Sequence, residues 1–450
     1  MLKKHSSIPL QPIAKCNPER NWLSEQGRVH RKAGEMSKRV CDASMSGKRM
    51  MPVMRNYLRN PDVRLSAALK ALCGKPSRSE AFALKNRVNA WSEEYDPIRW
   101  RLKKKSRAGE RVICTLPLEL KAVHYMLKRP LEKLLHREDT LFGVKDFGRD
   151  ELAVKIKALQ NKGYVHTATL DVVNCYSAVN PDALYELPLP KEVIKRTLDE
   201  RYLRFEKKWS IPNNADTGTG LSSYDNACNA TGPRGLLQGS PLSGVILAWL
   251  LNGIPSQESA QVYLCFDNII VLAKSANETR AMVDTLAAHF ERCSAGPLAL
   301  HDPIYADNKE TEFLGYLFDP ARSDIGIADG PLDKFTQRLT TIESTLEAKA
   351  NKFSAARNFA SGENSMGDAR NFINAHCPIE IWNALRSFRA GFSKTETNGQ
   401  ELTYFSENSR WLAEWSRSDW ACFVHDHLFA DKSTPEGMVI NDFLRKQSYP

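Results

Sequence analysis

No stretch of the 450 residues approaches 18 uninterrupted apolar side chains, the length a helix needs to cross a bilayer. The opening MLKKHSSIPLQPIAKCNPER holds no apolar core of a secretory signal. These two absences lead to the expectation of a cytoplasmic protein with no membrane partner. The ten cysteines lie at least 25 residues apart with no C-x-x-C pair, so neither a zinc knuckle nor a disulfide framework is indicated and reduced thiols are expected. There is no G-x-x-x-x-G-K-[ST] loop and hence no P-loop ATPase signature. Internal repeats and extended low-complexity tracts are also missing. His425 and His427, two apart in FVHDHLF, have no third ligand at suitable spacing and read as a solvated helix or loop.

What is present begins with charge. Residues 1–110 contain 25 Lys and Arg against 10 Asp and Glu, whereas the remainder contains 38 against 43. All the excess positive charge therefore lies in the first quarter. Neutralising phosphates with such side chains releases condensed counterions, so this segment suits a nucleic-acid dock, with a solvated basic surface as the alternative. An apolar content of 42% and a charged content of 26% describe a globular chain, long enough for two or three domains.

Local patterns order the chain. Residues 1–95 read as helices joined by polar turns, followed by the basic knot RWRLKKKSRAGERVI at 99–113. A short strand from 111, helices over Leu118–Arg137 and Asp150–Gln160, and a buried strand over 164–173 come next. Residues 182–208 look helical, and 212–232 form a Gly/Asn/Ser/Thr-rich loop. SGVILAWLLN (243–252) is an apolar helix, and QVYLCFDNIIVLAKS is a strand–turn–strand with Cys265-Phe266-Asp267-Asn268 at its tip. A helix over Asn277–Arg292 and strands around 311–318 follow. Leu332, Phe335, Leu339, Ile342 and Leu346 recur at spacings of three and four, one face of a helix. Trp411, Trp415, Trp420 and Phe423 suggest an aromatic-lined helical layer that packs in a core or against a partner.

Two carboxylates carry the chemistry. Asp171 ends the strand HTATLD and Asp267 sits in the tight turn. A charged side chain ending an apolar strand is costly unless solvated or paired. Carboxylates from two neighbouring strands can hold two Mg²⁺ ions, one activating a 3′-hydroxyl and the other steadying a triphosphate. Between them, GPRGLLQGSPLSGVILAWLLN (232–252) sets a Gly-rich turn before an apolar helix. Glycine lets backbone approach a base or sugar, and the Gln238 amide both donates and accepts.

In this order of motifs the chain resembles the reverse transcriptase superfamily: the Asp171 strand, LLQGSPLS before its helix, the CFDN hairpin and FLGY are similar to that family's palm motifs A, B, C and E. The likeness extends to RVICTLPLELKAVHYMLKRPLEKLLHREDTLFGVKDFGRDELAVKI (111–156), similar to the segment holding the incoming triphosphate, and covers roughly residues 110–320. The resemblance implies an α/β (α+β) right-hand polymerase. A basic helical region would occupy 1–98, fingers 99–165, a palm with an antiparallel sheet 166–322 (finger insertions within 177–240), and a helical thumb and C-terminal region 323–450. It further implies Asp171 and Asp267 as metal-binding carboxylates, with the carbonyl of Val172 as a further ligand, for two Mg²⁺ ions that Mn²⁺ can replace. Tyr176 matches the aromatic steric gate against a ribose 2′-hydroxyl, and Gln238 and Gly239 would line the nucleotide pocket. Arg111 and Lys121 match basic positions that clamp the triphosphate. The implied partners are dNTPs, a template or non-coding RNA and a DNA product, together with a second copy or a second reverse transcriptase.

Departures from the family pattern keep three readings open. The usual Tyr-Ala-Asp-Asp is here CFDN, so Asn268 takes part in the turn where the family has an Asp. No lysine stands at the expected general-acid position, although Lys309 lies close in sequence. The first reading is an active RNA-directed DNA polymerase. The second is an RNA-dependent RNA polymerase, which would be expected to carry an Asp at Tyr176 and a Thr at Ala248. The third is an RNA-binding scaffold with weak or lost catalysis. The chain is too short for appended ribonuclease H, integrase and protease domains, and it most resembles stand-alone bacterial defence-associated, abortive-infection-type enzymes. That likeness implies antiphage DNA synthesis from a nucleic-acid or protein hydroxyl, Tyr449 being one candidate primer.

Overall fold

The computed structural model describes residues 18–104, 110–207, 233–335 and isolated positions from 337 to 384. The expectations placed on residues 105–109, 212–232, Leu339, Leu346 and the segment from Trp411 to Tyr449 lie outside the described residues. Two compact units emerge: residues 1–146, 170–269 and 281–303 form one, and 147–169, 270–280 and 304–450 the other.

The first unit begins with four helices, α1 (Pro18–Met45), α2 (Met50–Arg59), α3 (Pro61–Leu72) and α4 (Arg78–Arg87). Local chemistry sets their starts. Asn60 accepts from the backbone N–H groups of Asp62 and Val63 while Pro61 opens α3, and Ser77 and Glu80 form a capping box on α4. Val29, Leu65, Leu69 and Ala81 make their shared core, with Trp22 and Phe82 at its edge. Helix α5 (Leu118–Leu134) buries Leu120, Val123, Met126, Leu127 and Leu131, and the Tyr57 hydroxyl donates to the Met126 carbonyl (3.0 Å).

The basic knot is a β-hairpin. β1 (Ile98–Lys104) and β2 (Glu110–Thr115) pair antiparallel with Trp100 opposite Cys114. Period-two alternation puts Ile98, Trp100 and Leu102 inside, where they pack with Cys114, Leu116, Leu120 and Leu237, and leaves Arg99, Arg101 and Lys103 outside. Residues 182–208 differ from the helical expectation. They form a 3₁₀ turn (Pro181–Glu186), α8 (Lys191–Thr197), a second 3₁₀ turn (Glu200–Tyr202) and β5 (Phe205–Lys207), which adds in parallel to β1. Pro188 and Pro190 lack the N–H groups a continuous helix requires.

The larger sheet comprises β3 (Leu141–Phe142), β4 (His166–Asp171), β6 (Ala260–Cys265), β7 (Asn268–Ala273) and β8 (Ile304–Asp307), in the order β3-β6-β7-β4-β8. β3 pairs parallel to β6, Leu141 with Leu264 and Phe142 with Cys265, so the sheet is mixed and not wholly antiparallel as expected. A parallel pair demands a long connection, and well over a hundred residues separate these two strands. Helix α7 (Cys175–Ala178) follows β4, and α9 (Ser243–Leu250), with Val245, Ile246, Leu247 and Ala248 buried, precedes β6. Helix α10 (Ala276–Arg292) follows β7 and buries Met282, Leu286 and Phe290.

In the second unit, residues 166–169 of β4 pair antiparallel with β8, from His166 opposite Asp307 to Thr169 opposite Ile304. Helix α6 (Arg149–Gln160) carries Asp150, which accepts from the buried Tyr316 hydroxyl at 2.6 Å. Tyr316 belongs to β10 (Tyr316–Phe318), the middle strand between β9 (Thr311–Phe313) and β11 (Gly326–Ile327). Buried Lys157 donates to the Asp319 carbonyl (2.8 Å) and to Gln160 (3.2 Å), which satisfies an otherwise costly cation. A helix starting at residue 329 buries Phe335, the face expected from its spacing.

Candidate active site

Asp171 and Asp267 meet through the backbone. β4 runs buried through Ala168 and Leu170 and ends with Asp171 exposed. The next residue, Val172, donates its N–H to the Asp267 carbonyl oxygen at 3.0 Å. Val173 donates to the Ala299 carbonyl (2.8 Å), and the Asp171 carbonyl accepts from His301 (2.9 Å). The end of the strand is thus stitched to the hairpin turn on one side and to residues 299–301 on the other. Both carboxylates, with burial acting more strongly than either, raise the pKa of the buried Cys175 thiol, Asp267 contributing more than Asp171.

The turn itself is unusual. Phe266 adopts φ +59°, a left-handed conformation that costs a non-glycine residue about 1–2 kcal/mol. Its ring, partly exposed, seats against two glycines. A methyl group added at Gly143 would lie 3.0–3.1 Å from three ring carbons, and one at Gly244 would lie 3.2 Å from a fourth. Asn268 turns its amide back and donates Nδ2 to Asp267 Oδ1 at 3.0 Å.

Tyr176, the second residue of α7, is half-buried. Burial first, and then the Asp267 carboxylate, push its phenol up to about 12, while the Arg111 guanidinium opposes the shift. Arg111, exposed on β2, therefore belongs to the surroundings of the same phenol. The Tyr176 carbonyl accepts from Leu236 (2.7 Å), and Cys114 of β2 donates its N–H to the Gln238 carbonyl (2.7 Å). The segment 236–238 is pinned at both ends, between α7 and the β1–β2 hairpin. Gly239 holds φ +114°, and a Cβ there would run into the Cys114 carbonyl oxygen. Only glycine allows this approach.

One residue of this assembly was not anticipated from the sequence. His124 of α5 is fully buried, its Nε2 2.7 Å from the Thr197 carbonyl and its Nδ1 2.7 Å from Ser240 Oγ. A carbonyl only accepts, so Nε2 carries the proton and Nδ1 accepts from the serine. Ser240 Oγ in turn accepts from the Leu242 N–H (3.0 Å). Burial holds the imidazole neutral, with its pKa lowered to about 4. Phe266 was expected at the tip of the turn, but its slot depends on glycines far away in sequence. An apolar helix carrying a lone histidine was the only signal for His124, and nothing local signalled the glycine slot of Phe266.

Lys121 stands apart from the other residues named from the sequence. Its ammonium donates to the Ala71 carbonyl (3.1 Å) and approaches Cys73 Sγ (3.6 Å), at the C-terminal end of α3 where helix carbonyls lack partners. Lys309 is exposed in the turn between β8 and β9.

The donor set suits a hard cation. Among the described residues no group of three or more His, Cys, Asp and Glu side chains is arranged to hold a metal ion. Mg²⁺ asks for less, being commonly held by one or two carboxylates with substrate phosphates and water completing its octahedron. Asp171 and Asp267 meet that requirement, and the Val172 carbonyl, which accepts only a long bond from Cys175 (3.3 Å), keeps a lone pair available.

Neither a protein-family model nor a curated protein matches this chain. Among solved structures, the telomerase of Candida albicans in complex with a TWJ fragment of telomeric RNA aligns at 11% identity and a TM-score of 0.36, covering 74% of this chain and 67% of that one. Apo telomerase of Candida tropicalis, truncated from its C-terminal domain, aligns at 12% and 0.30, covering 51% and 55%. The BmCPV RNA-dependent RNA polymerase at its quiescent state aligns at 10% and 0.34, covering 67% of this chain and 26% of that one. At such scores these likenesses carry no argument, and the function rests on the residues themselves.

Proposed function

We propose that the chain is a reverse-transcriptase-type nucleotidyltransferase that adds dNTPs to a 3′-hydroxyl or a protein hydroxyl. The observation that supports this reading is the Val172–Asp267 backbone bond, which joins the residue after Asp171 to the turn that carries Asp267. Two divalent cations bound there would supply a more acidic attacking hydroxyl and charge neutralisation on the triphosphate. The protein's own share is positional. Asp171 and Asp267 present oxygen ligands from a strand end and a turn. Tyr176 walls the pocket where a 2′-hydroxyl would lie, and its high pKa keeps it a neutral, bulky wall. Gln238 and Gly239 form a floor pinned to β2.

The test is incubation of purified protein with each dNTP or NTP, on primed RNA, on primed DNA and without template, in Mg²⁺ or Mn²⁺. Incorporation of dNTPs that disappears in Asp267→Asn supports the reading, and incorporation of NTPs would replace it with an RNA polymerase. One observation favours a scaffold instead. Asn268 Nδ2 donates to Asp267 Oδ1 and competes for one of the lone pairs that a metal would use. Bound RNA with no synthesis in either metal would establish that second reading. The antiphage role in the bacterial cytoplasm belongs to the proposal too, and loss of phage resistance in cells carrying Asp267→Asn is its measure.

A further inference from the structure

A second charged assembly lies in the first unit, away from the carboxylate pair. On α5, Arg129 donates to the His30 carbonyl (3.0 Å) and Lys133 to the Gly34 carbonyl (3.1 Å), so two side chains four residues apart clasp one face of α1. These acceptors are uncharged and leave both cations unneutralised. Lys70, close to the end of α3, is within electrostatic reach of Arg129, Lys128 and Lys145, and Lys133 is within reach of Arg129, Lys145 and Lys38. Six cations thus converge from α1, α3, α5 and the segment after β3.

The acids beside them are few. Glu132 meets Lys128 at 3.7 Å and Asp146 meets Lys145 at 3.9 Å, both near the outer limit of an ion pair. Desolvation first, and then the Arg129 guanidinium, hold Lys70 and Lys133 below the ordinary lysine range. Gathering like charges destabilises a fold through their mutual repulsion. A polyanion lying across the cluster relieves that repulsion.

We propose that Lys38, Lys70, Lys128, Arg129, Lys133 and Lys145 form a docking surface for the phosphodiester backbone of a nucleic-acid strand, outside the catalytic pocket. Three observations select this occupant. Cations drawn from four chain segments suit a repeating polyanion better than a single phosphate. Two of them, Lys38 and Lys70, belong to the first 110 residues, which hold the chain's whole positive surplus. Lys145 follows by two residues Gly143, against which the Phe266 ring of the catalytic turn packs, so the surface begins roughly 7 Å of chain from the turn. The choice of nucleic acid rests on the polymerase reading of that turn.

The experiment measures binding of fluorescein-labelled single-stranded RNA, single-stranded DNA and duplex to full-length protein freed of nucleic acid, by anisotropy over a salt series without nucleotides. The triple variant Lys38→Gln/Lys70→Gln/Lys145→Gln removes cations that make no backbone hydrogen bond, and its melting temperature reports that it folds. Each lost phosphate contact lowers the slope of log K against log salt by about 0.7 for a single strand, so the triple variant is expected to lose about 2 in slope. A control triple, Lys162→Gln/Lys191→Gln/Arg292→Gln, is expected to keep the wild-type slope, as is Asp267→Asn. An unchanged slope in the test triple, or an equal loss in the control, overturns the proposal. Binding that depends on the three lysines in a protein without synthesis would uphold this surface while the polymerase reading fell. Synthesis with an unchanged slope would do the reverse.

Discussion

Val172 and Asp267 are joined by a 3.0 Å backbone hydrogen bond, so the main chain that carries Asp171 and the main chain of Asp267 are tied by peptide geometry. Changing either carboxylate should therefore remove ligands without moving the frame. Asp171→Ala and Asp267→Asn are each expected to lower nucleotide incorporation by more than about 100-fold, about 2.7 kcal/mol of transition-state stabilisation, with melting temperatures near wild type. Asn268→Asp restores a charge beside the ions and is expected to keep activity while lowering the Mg²⁺ concentration needed. Undiminished synthesis by Asp171→Ala protein would sink the two-carboxylate assignment.

Sugar selection is expected to follow Tyr176. Its ring is half-buried beside Asp267, and its backbone carbonyl is fixed by Leu236. Tyr176→Ala opens the wall without touching the carboxylates. Ribonucleotide incorporation relative to deoxynucleotide is expected to rise at least ~10-fold, about 1.4 kcal/mol. The competition is read with both nucleotides in one reaction, and an unchanged ratio would remove Tyr176 from this role.

Acid sensitivity should trace to His124. Its native pKa of about 4 lies below its ordinary value of 6.5, so between those values the unfolded chain binds a proton that the folded chain excludes. This cost is absent above about pH 6.5 and grows as pH falls toward 4, by about 1.4 kcal/mol per unit across the window. Urea midpoints at pH 7.5 and 5.5 measure it. His124→Gln is expected to start less stable and to lose less between the two pH values, and a decline as steep as that of wild type would show that other groups control the effect.

Gly239 and Gly253 form an internal comparison, since both have positive φ but only Gly239 faces an obstacle. Gly253→Ala meets nothing within 4 Å and is expected to cost about 1–2 kcal/mol for the left-handed backbone alone. Gly239→Ala also collides with the Cys114 carbonyl and is expected to cost up to about 3 kcal/mol and to weaken nucleotide binding, because Gln238 must leave β2. Equal melting temperatures for the two variants would argue against the collision.

Local pattern made much of this architecture legible before any coordinates. The apolar run ending at Asp171, the hairpin around CFDN and the helix over Ala276–Arg292 each encode their geometry in neighbouring residues, and each lies within a few positions of where it was expected. Contacts across long sequence separations were not legible. β5 is three residues whose only reason to be a strand is β1, more than a hundred residues earlier. Lys121 lies in the segment expected to hold a triphosphate, and its bond to the Ala71 carbonyl joins residues fifty positions apart. His124 finds Ser240 across 116 positions. Propensity and periodicity describe a chain's neighbours in sequence, and these residues answer to neighbours in space.

The seating of Phe266 between Gly143 and Gly244 has an evolutionary corollary. A bulky residue at 266 requires bare backbone at both other positions, while a small residue there would leave a gap that side chains at 143 and 244 would be free to fill. The three positions should therefore be inherited as a set. Among relatives of this chain, glycine at 143 and 244 is expected to covary with an aromatic residue at 266.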